Sequence, residues 1–143
     1  MTEISNNRPH ISFWLVGVLA LIWNLMGVIN CFGQMNPEMV ASMAESHQAI
    51  INGRPIWGTI AFAVAVFGGA IGCILLLMRK AAALYLFIAS LLSVMVQLIP
   101  NFKLAGKVQF SAGELLMMMV MPLVVAAFLS WYASQTQNKG WIK

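Results

Sequence analysis

The chemistry open to this chain is carried by uncharged amides set in apolar surroundings. Asn24 and Asn30 stand in one long hydrophobic run and Gln97 near the end of another, with Trp23, Trp57, His47 and Glu114 close by in sequence or at neighbouring run ends. An amide offers a donor and an acceptor, and an indole supplies a flat apolar wall. Together they suit sugars and other neutral polar ligands. Asn24, Gln97, Trp23, Trp57, Asn30, Glu114 and His47 are therefore the candidate ligand-binding residues. The competing reading is structural: the end groups face interfacial water, and Asn24 staples helices. Its partners would then be Ser90, Ser93 or the Met118 carbonyl, which Pro122 deprives of a helical donor.

Other chemistries find no support. No Asp, Glu, Lys, Arg or His lies mid-way along an apolar run, which argues against a proton-coupled exchanger. No Ser-His-Asp, paired-carboxylate or HExxH arrangement occurs, so no enzyme activity is expected. Cys and His show no metal-ligand spacing, and neither a metal nor a cofactor is expected. Met117, Met118, Met119 and Met121 read better as gap-fillers beside the Pro122 kink than as copper(I) ligands, since no Cys or His shares their run.

The elements that must position these groups follow from composition. Of 143 residues 61% are hydrophobic and only 8% charged, and the mean hydropathy is +0.85. A soluble domain carries about 25% charged residues, so this is an integral membrane protein. The net charge of +4 does not imply nucleic acid, because its basic residues are scattered between hydrophobic runs as membrane flanks. Four runs are long enough to span: Ile11 to Phe32, Trp57 to Met78, Ala81 to Ile99, and Gly113 to Tyr132, followed by a tail over 133–143. Between the first two, Asn36-Pro37 reads as N-cap and first helical residue, and apolar residues recur at helical spacing to Asn52-Gly53. An amphipathic interfacial helix over 37–52 is expected there. Residues 100–112 are expected to form a loop.

The predicted fold is one integral membrane domain over 1–143, an all-α bundle of four transmembrane helices, left-handed, plus the interfacial helix. Lys and Arg counts on the two sides favour cytoplasmic N and C termini. Helices in lipid associate through small and polar residues. The packing faces are accordingly read at Gly17 and Gly27, at Ala65, Gly68, Gly69 and Gly72, and at Ser90 and Ser93. Cys31 and Cys73 fall about 20 Å apart in depth, too far for a disulfide.

Several segments taken together carry a resemblance. Trp23-Asn24-Leu25-Met26-Gly27, Arg54-Pro55-Ile56-Trp57, the run Phe62 to Gly69 with Gly72, Arg79-Lys80, and Ser90-Leu91 through Gln97 resemble a family of small bacterial four-helix inner-membrane proteins often labelled "sugar transporter". The plan is also similar, more loosely, to DoxX-like membrane proteins. The resemblance implies a bacterial inner-membrane location and a carrier or channel-like role for a neutral polar solute. Four helices are few for a pathway, so such a carrier would be a homo-oligomer, associating through the Gly68/Gly72 face. The alternative is a non-catalytic accessory or structural subunit of a larger membrane complex. Beyond lipid, the expected partners are thus copies of itself, or that complex, and a small polar ligand.

Overall fold

A computed structural model of the protein describes residues 8–107 and 109–143. Residues 1–7 of the expected domain and Val108 of the expected loop lie outside this description. The described residues form helices and connections: α1 (Ile11–Gln34), α2 (Pro37–Ala41), α3 (Glu45–Gly53), α4 (Ile56–Leu77), α5 (Ala82–Ala105), α6 (Ala112–Leu115), a π-helical turn (Leu116–Val120) and α7 (Met121–Asn138). Four helical stretches are long and apolar enough to cross a membrane: α1, α4, α5, and the continuous run Ala112–Asn138. The protein is an all-α, multi-pass membrane protein. In hydrocarbon each backbone polar group must be satisfied internally, and helices achieve this.

Three boundaries differ from the sequence reading, each for a local reason. The interfacial helix is broken in two. Ser42 ends α2 by donating its hydroxyl to the Met39 carbonyl at 2.6 Å, and Gln48 clasps the break by donating to the carbonyls of Ala41 and Met43. Its start is as expected, with the Asn36 side chain accepting from the Glu38 N–H at 3.0 Å and Pro37 at the first position. The third span does not stop at Ile99: α5 runs through Pro100 to Ala105, so much of the expected loop is helix. Proline is tolerated inside membrane helices where neighbours re-satisfy the freed carbonyl, and Pro100 is buried against α4 beside Gly58. The fourth span starts in a capping box of Ser111 and Glu114 and continues to Asn138. It widens to a π-turn just before Pro122, where the Met121 N–H reaches back five residues to the Leu116 carbonyl.

The spans pack in the order α1, α4, α5, α7, with α4 and α5 as the central pair. One end of the bundle is dry. There Phe13, Cys73, Leu76, Phe87, Leu129 and Ala133 form a buried cluster, and Phe13 stacks on Tyr132 at 6.5 Å, joining the first and last spans. The tail closes this end: Ile142 is 1% exposed, and the Arg79 guanidinium donates through Nε to the Trp141 carbonyl at 2.7 Å. At the opposite end α3 covers a second cluster of Ile50, Ala65, Val94, Leu98, Met119 and Ala126.

The small-residue faces are used inside this bundle. Gly17 lies under Leu77, Gly27 under Val66 and Gly69 under the Asn24 amide, while Gly72 receives the edge of the Phe87 ring. Ser90 donates to the Ala65 carbonyl at 2.7 Å, tying α5 to α4. Ser93 is half-buried on α5. Gly68 and Gly72 both face α5 of the same chain, so that face is not free to join a second copy. The two differ in tolerance. A Cβ on Gly68 would meet nothing nearer than 3.7 Å, whereas one on Gly72 would stand 2.8 Å from the Phe87 ring. Gly72→Ala is expected to cost about 1–3 kcal/mol as overpacking, and Gly68→Ala to leave the detergent melting temperature nearly unchanged.

Candidate functional site

Between α1 and α7, in the half of the bundle covered by α3, the helices enclose a cavity of about 350 Å³. That volume lies within the range of roughly 300–1,000 Å³ usual for small-molecule sites. α1 and α7 are joined at the dry end, where Phe13 stacks on Tyr132, and α4 and α5 supply further walls of the cavity. Met26 of α1 and Met117 of the π-turn stand at its edges and are exposed on the bundle surface, so the cleft also opens sideways. Phe87 and Leu129, members of the dry cluster, line it as well and close it toward the tail end.

The polar lining comes mainly from α1 and α5. Asn24, Asn30 and Gln34 lie on one face of α1, and Ser90, Gln97 and Asn101 on one face of α5. Gln97 and Asn101, one helical turn apart, are each only 4% exposed. Neither amide oxygen has a hydrogen-bond partner among the described residues. Such groups cost about 1–3 kcal/mol each when left unmade, and most buried polar atoms avoid it. Two further atoms share this condition, Nδ1 of His47 on α3 and Nε of Arg54. Both residues line the cavity, and together the four orphans surround its covered end.

Asn24 is more fully engaged. Its amide donates to the Ala20 carbonyl at 2.9 Å and to the Cys73 sulfur at 3.6 Å. It is thus a staple between α1 and α4 as well as a cavity wall, but its partners are not Ser90, Ser93 or the Met118 carbonyl. Cys31 and Cys73 are both free and buried.

Of the seven expected ligand residues, the fold brings five to the cavity: Trp23, Asn24, Asn30, His47 and Gln97. Two lie elsewhere. Trp57 is 47% exposed on the outer surface of α4, because the residue facing inward at that turn is Gly58. Glu114 is spent on structure: one carboxylate oxygen accepts from the Ser111 N–H at 2.9 Å and the other from the Ser46 hydroxyl at 3.1 Å, joining the cap of the fourth span to α3. Sequence reasoning missed Asn101, Gln34 and Arg54. The i, i+4 pairs Asn30/Gln34 and Gln97/Asn101 were a usable signal, hidden in the second case by ending the helix at Pro100.

Comparison with protein-family models, with curated proteins and with solved structures finds no match. The cavity's own chemistry is therefore what bears on function. Phe87 and Leu129 line its tail-side end, and the amides of Gln34, Gln97 and Asn101 line it together with Arg54 and His47. Among the described residues no group of three His, Cys, Asp or Glu side chains is placed to hold a metal ion.

Proposed function

We propose that the protein is a non-enzymatic membrane protein of the bacterial inner membrane, with both termini cytoplasmic, that binds a small hydroxylated ligand in this cavity. It acts as a carrier or channel-like module, as the likeness to the small four-helix "sugar transporter" family implies. The observation that carries the reading is the pair of buried, unpartnered amide oxygens on Gln97 and Asn101 in a cavity of ligand size. A ligand hydroxyl supplies the missing donor, and Trp23 offers an indole wall in the same cavity.

The cavity is closed at the tail end by Phe87 and Leu129, so passage of a solute requires these side chains to move or a homo-oligomer to supply the rest of the path. The alternative, an accessory subunit of a larger complex, predicts a stoichiometric larger partner in a mild-detergent pull-down. The carrier reading predicts solute entry into proteoliposomes above protein-free vesicles for at least one sugar or polyol.

Gln97→Met provides a sharper test, because it removes the orphan acceptor while keeping the side-chain volume. It is expected to raise the melting temperature of the ligand-free protein, by the equivalent of about 1 kcal/mol, and to abolish the thermal shift produced by a polyol. A variant that melts lower and still responds to the polyol would overturn the reading.

A further inference from the structure

The cation at the cavity mouth bears on what the ligand is. Arg54 follows α3 and precedes α4, where a basic residue ordinarily reaches into interfacial water. Here it turns inward. Gly58, one turn into α4, leaves the notch its stem needs: a Cβ there would stand 2.8 Å from the Arg54 Cγ and 3.1 Å from Pro100. The guanidinium then sits over the Phe62 ring at 5.3 Å from the centroid, and Nη1 donates to the Gln34 side-chain oxygen at 3.4 Å. Gln34 in turn donates to Asn30 at 3.2 Å, so the group is held by a short polar relay along α1.

This arrangement lacks an anion. Nε of Arg54 is buried without a partner, and no described carboxylate lies within ion-pair distance of the guanidinium. Glu114, at the start of the fourth span, is held by Ser111 and Ser46. Burial pulls the Arg54 pKa below its ordinary range, the sign of a charge that its surroundings do not fully compensate. A planar guanidinium with free donors matches a phosphate or carboxylate in two-point geometry. On α5 the amide oxygens of Gln97 and Asn101 line the same cavity without donors, and Met26 and Met117, which also line it, are exposed on the apolar surface of the bundle, where a tail attached to the ligand would leave.

We propose that Arg54 is the anion-binding residue of the cavity and that the ligand is an anion carrying hydroxyl groups, of the kind represented by a phosphoglycerol unit. The same unit is found on an anionic lipid headgroup and on a free phosphate ester, and both present the same chemistry to Arg54, Gln97 and Asn101. The inference rests on the cavity being a ligand site, and it replaces a neutral solute with a charged one.

The test uses the full chain in detergent, with thermal shift and Trp fluorescence as readouts, since Trp23 lines the cavity. The probes are glycerol, glycerol phosphate, phosphatidylglycerol and phosphatidylcholine. Saturable stabilisation by phosphatidylglycerol but not phosphatidylcholine is expected if a lipid supplies the group, and by glycerol phosphate well below the glycerol concentration if the free ester does. Arg54→Gln is expected to weaken whichever anion binds by about tenfold or more, as for loss of a charge-assisted pair. Lys103→Gln, which alters an exposed cation outside the cavity, is expected to leave it unchanged. Equal responses to the charged and neutral probes, or unchanged anion binding in Arg54→Gln, overturn the assignment. If Arg54→Gln does not fold, the charged-against-neutral comparison on the native chain decides alone. Glycerol binding without anion preference defeats this inference and leaves the cavity reading standing; no response to any probe defeats both.

Discussion

Gly69→Ala is expected to lower the detergent melting temperature sharply, and Asn24→Ala in the same chain to restore most of the loss. A Cβ at position 69 would overlap the Asn24 amide, with its Cγ at only 2.8 Å. The amide cannot simply swing away. It is 9% exposed and held by bonds to the Ala20 carbonyl and the Cys73 sulfur, so displacing it breaks both and strands a polar group within the apolar part of the bundle. Overpacking and an unmade buried hydrogen bond each cost about 1–3 kcal/mol. Shortening Asn24 removes the obstacle and the stranded group together. Thermal melts of the two single variants and the double variant form a cycle, with an expected coupling of about 1–3 kcal/mol. Simple additivity of the two losses would show that the glycine is not there for the amide.

Removing Gly140–Lys143 is the second large perturbation. These residues form a strap across the α4–α5 turn: the Ala81 N–H donates to the Lys143 carbonyl at 2.9 Å, the Lys143 N–H to the Arg79 carbonyl at 3.0 Å, and Arg79 Nε to the Trp141 carbonyl. Trp141 meets the Phe13 ring edge-on at 6.0 Å and carries the Lys139 ammonium over its face at 4.7 Å. Arg79 itself holds a φ of 62°, a left-handed conformation unfavourable for a residue with a Cβ, and the strap's three hydrogen bonds hold the turn in place. Deletion exposes the underside of the dry cluster and frees this turn. The milder Ile142→Ala is expected to cost about 2–4 kcal/mol, as for other fully buried large-to-small changes. A truncated chain that melts with the native one would show that the strap is decorative.

How much of this was legible follows physical lines. The four spans announced themselves because membrane helices need a composition that nothing else uses, and the amides stood out against that background. Asn24, Asn30, Gln97, His47 and Trp23 reach one cavity because their helices bury their few polar groups against one another. Trp57 was misplaced because depth along a span says nothing about azimuth around it, and one residue's shift at Gly58 turns a side chain from cavity to lipid. Glu114 was misplaced because a carboxylate three residues after a serine is first a helix cap. Arg54 and Asn101 were not found for a common reason. Each sits beside a proline: α5 continues through Pro100 because membrane neighbours relax the rule that ends soluble helices, and Arg54, before Pro55, is turned inward by the notch at Gly58 instead of reaching into interfacial water. The tail over 133–143 carries Trp141 and Ile142, an apolar tip that packs into the dry cluster.

The ring of Phe87 belongs to two structures at once: its edge rests on Gly72, and it also lines the cavity. The spacing of α4 and α5 and the depth available to a ligand are therefore set by one side chain. It works as a ruler. A larger residue at 72 would press on the ring, while a smaller one at 87 would extend the cavity into the dry half, so the length of the cavity is adjustable from a helix contact at its closed end.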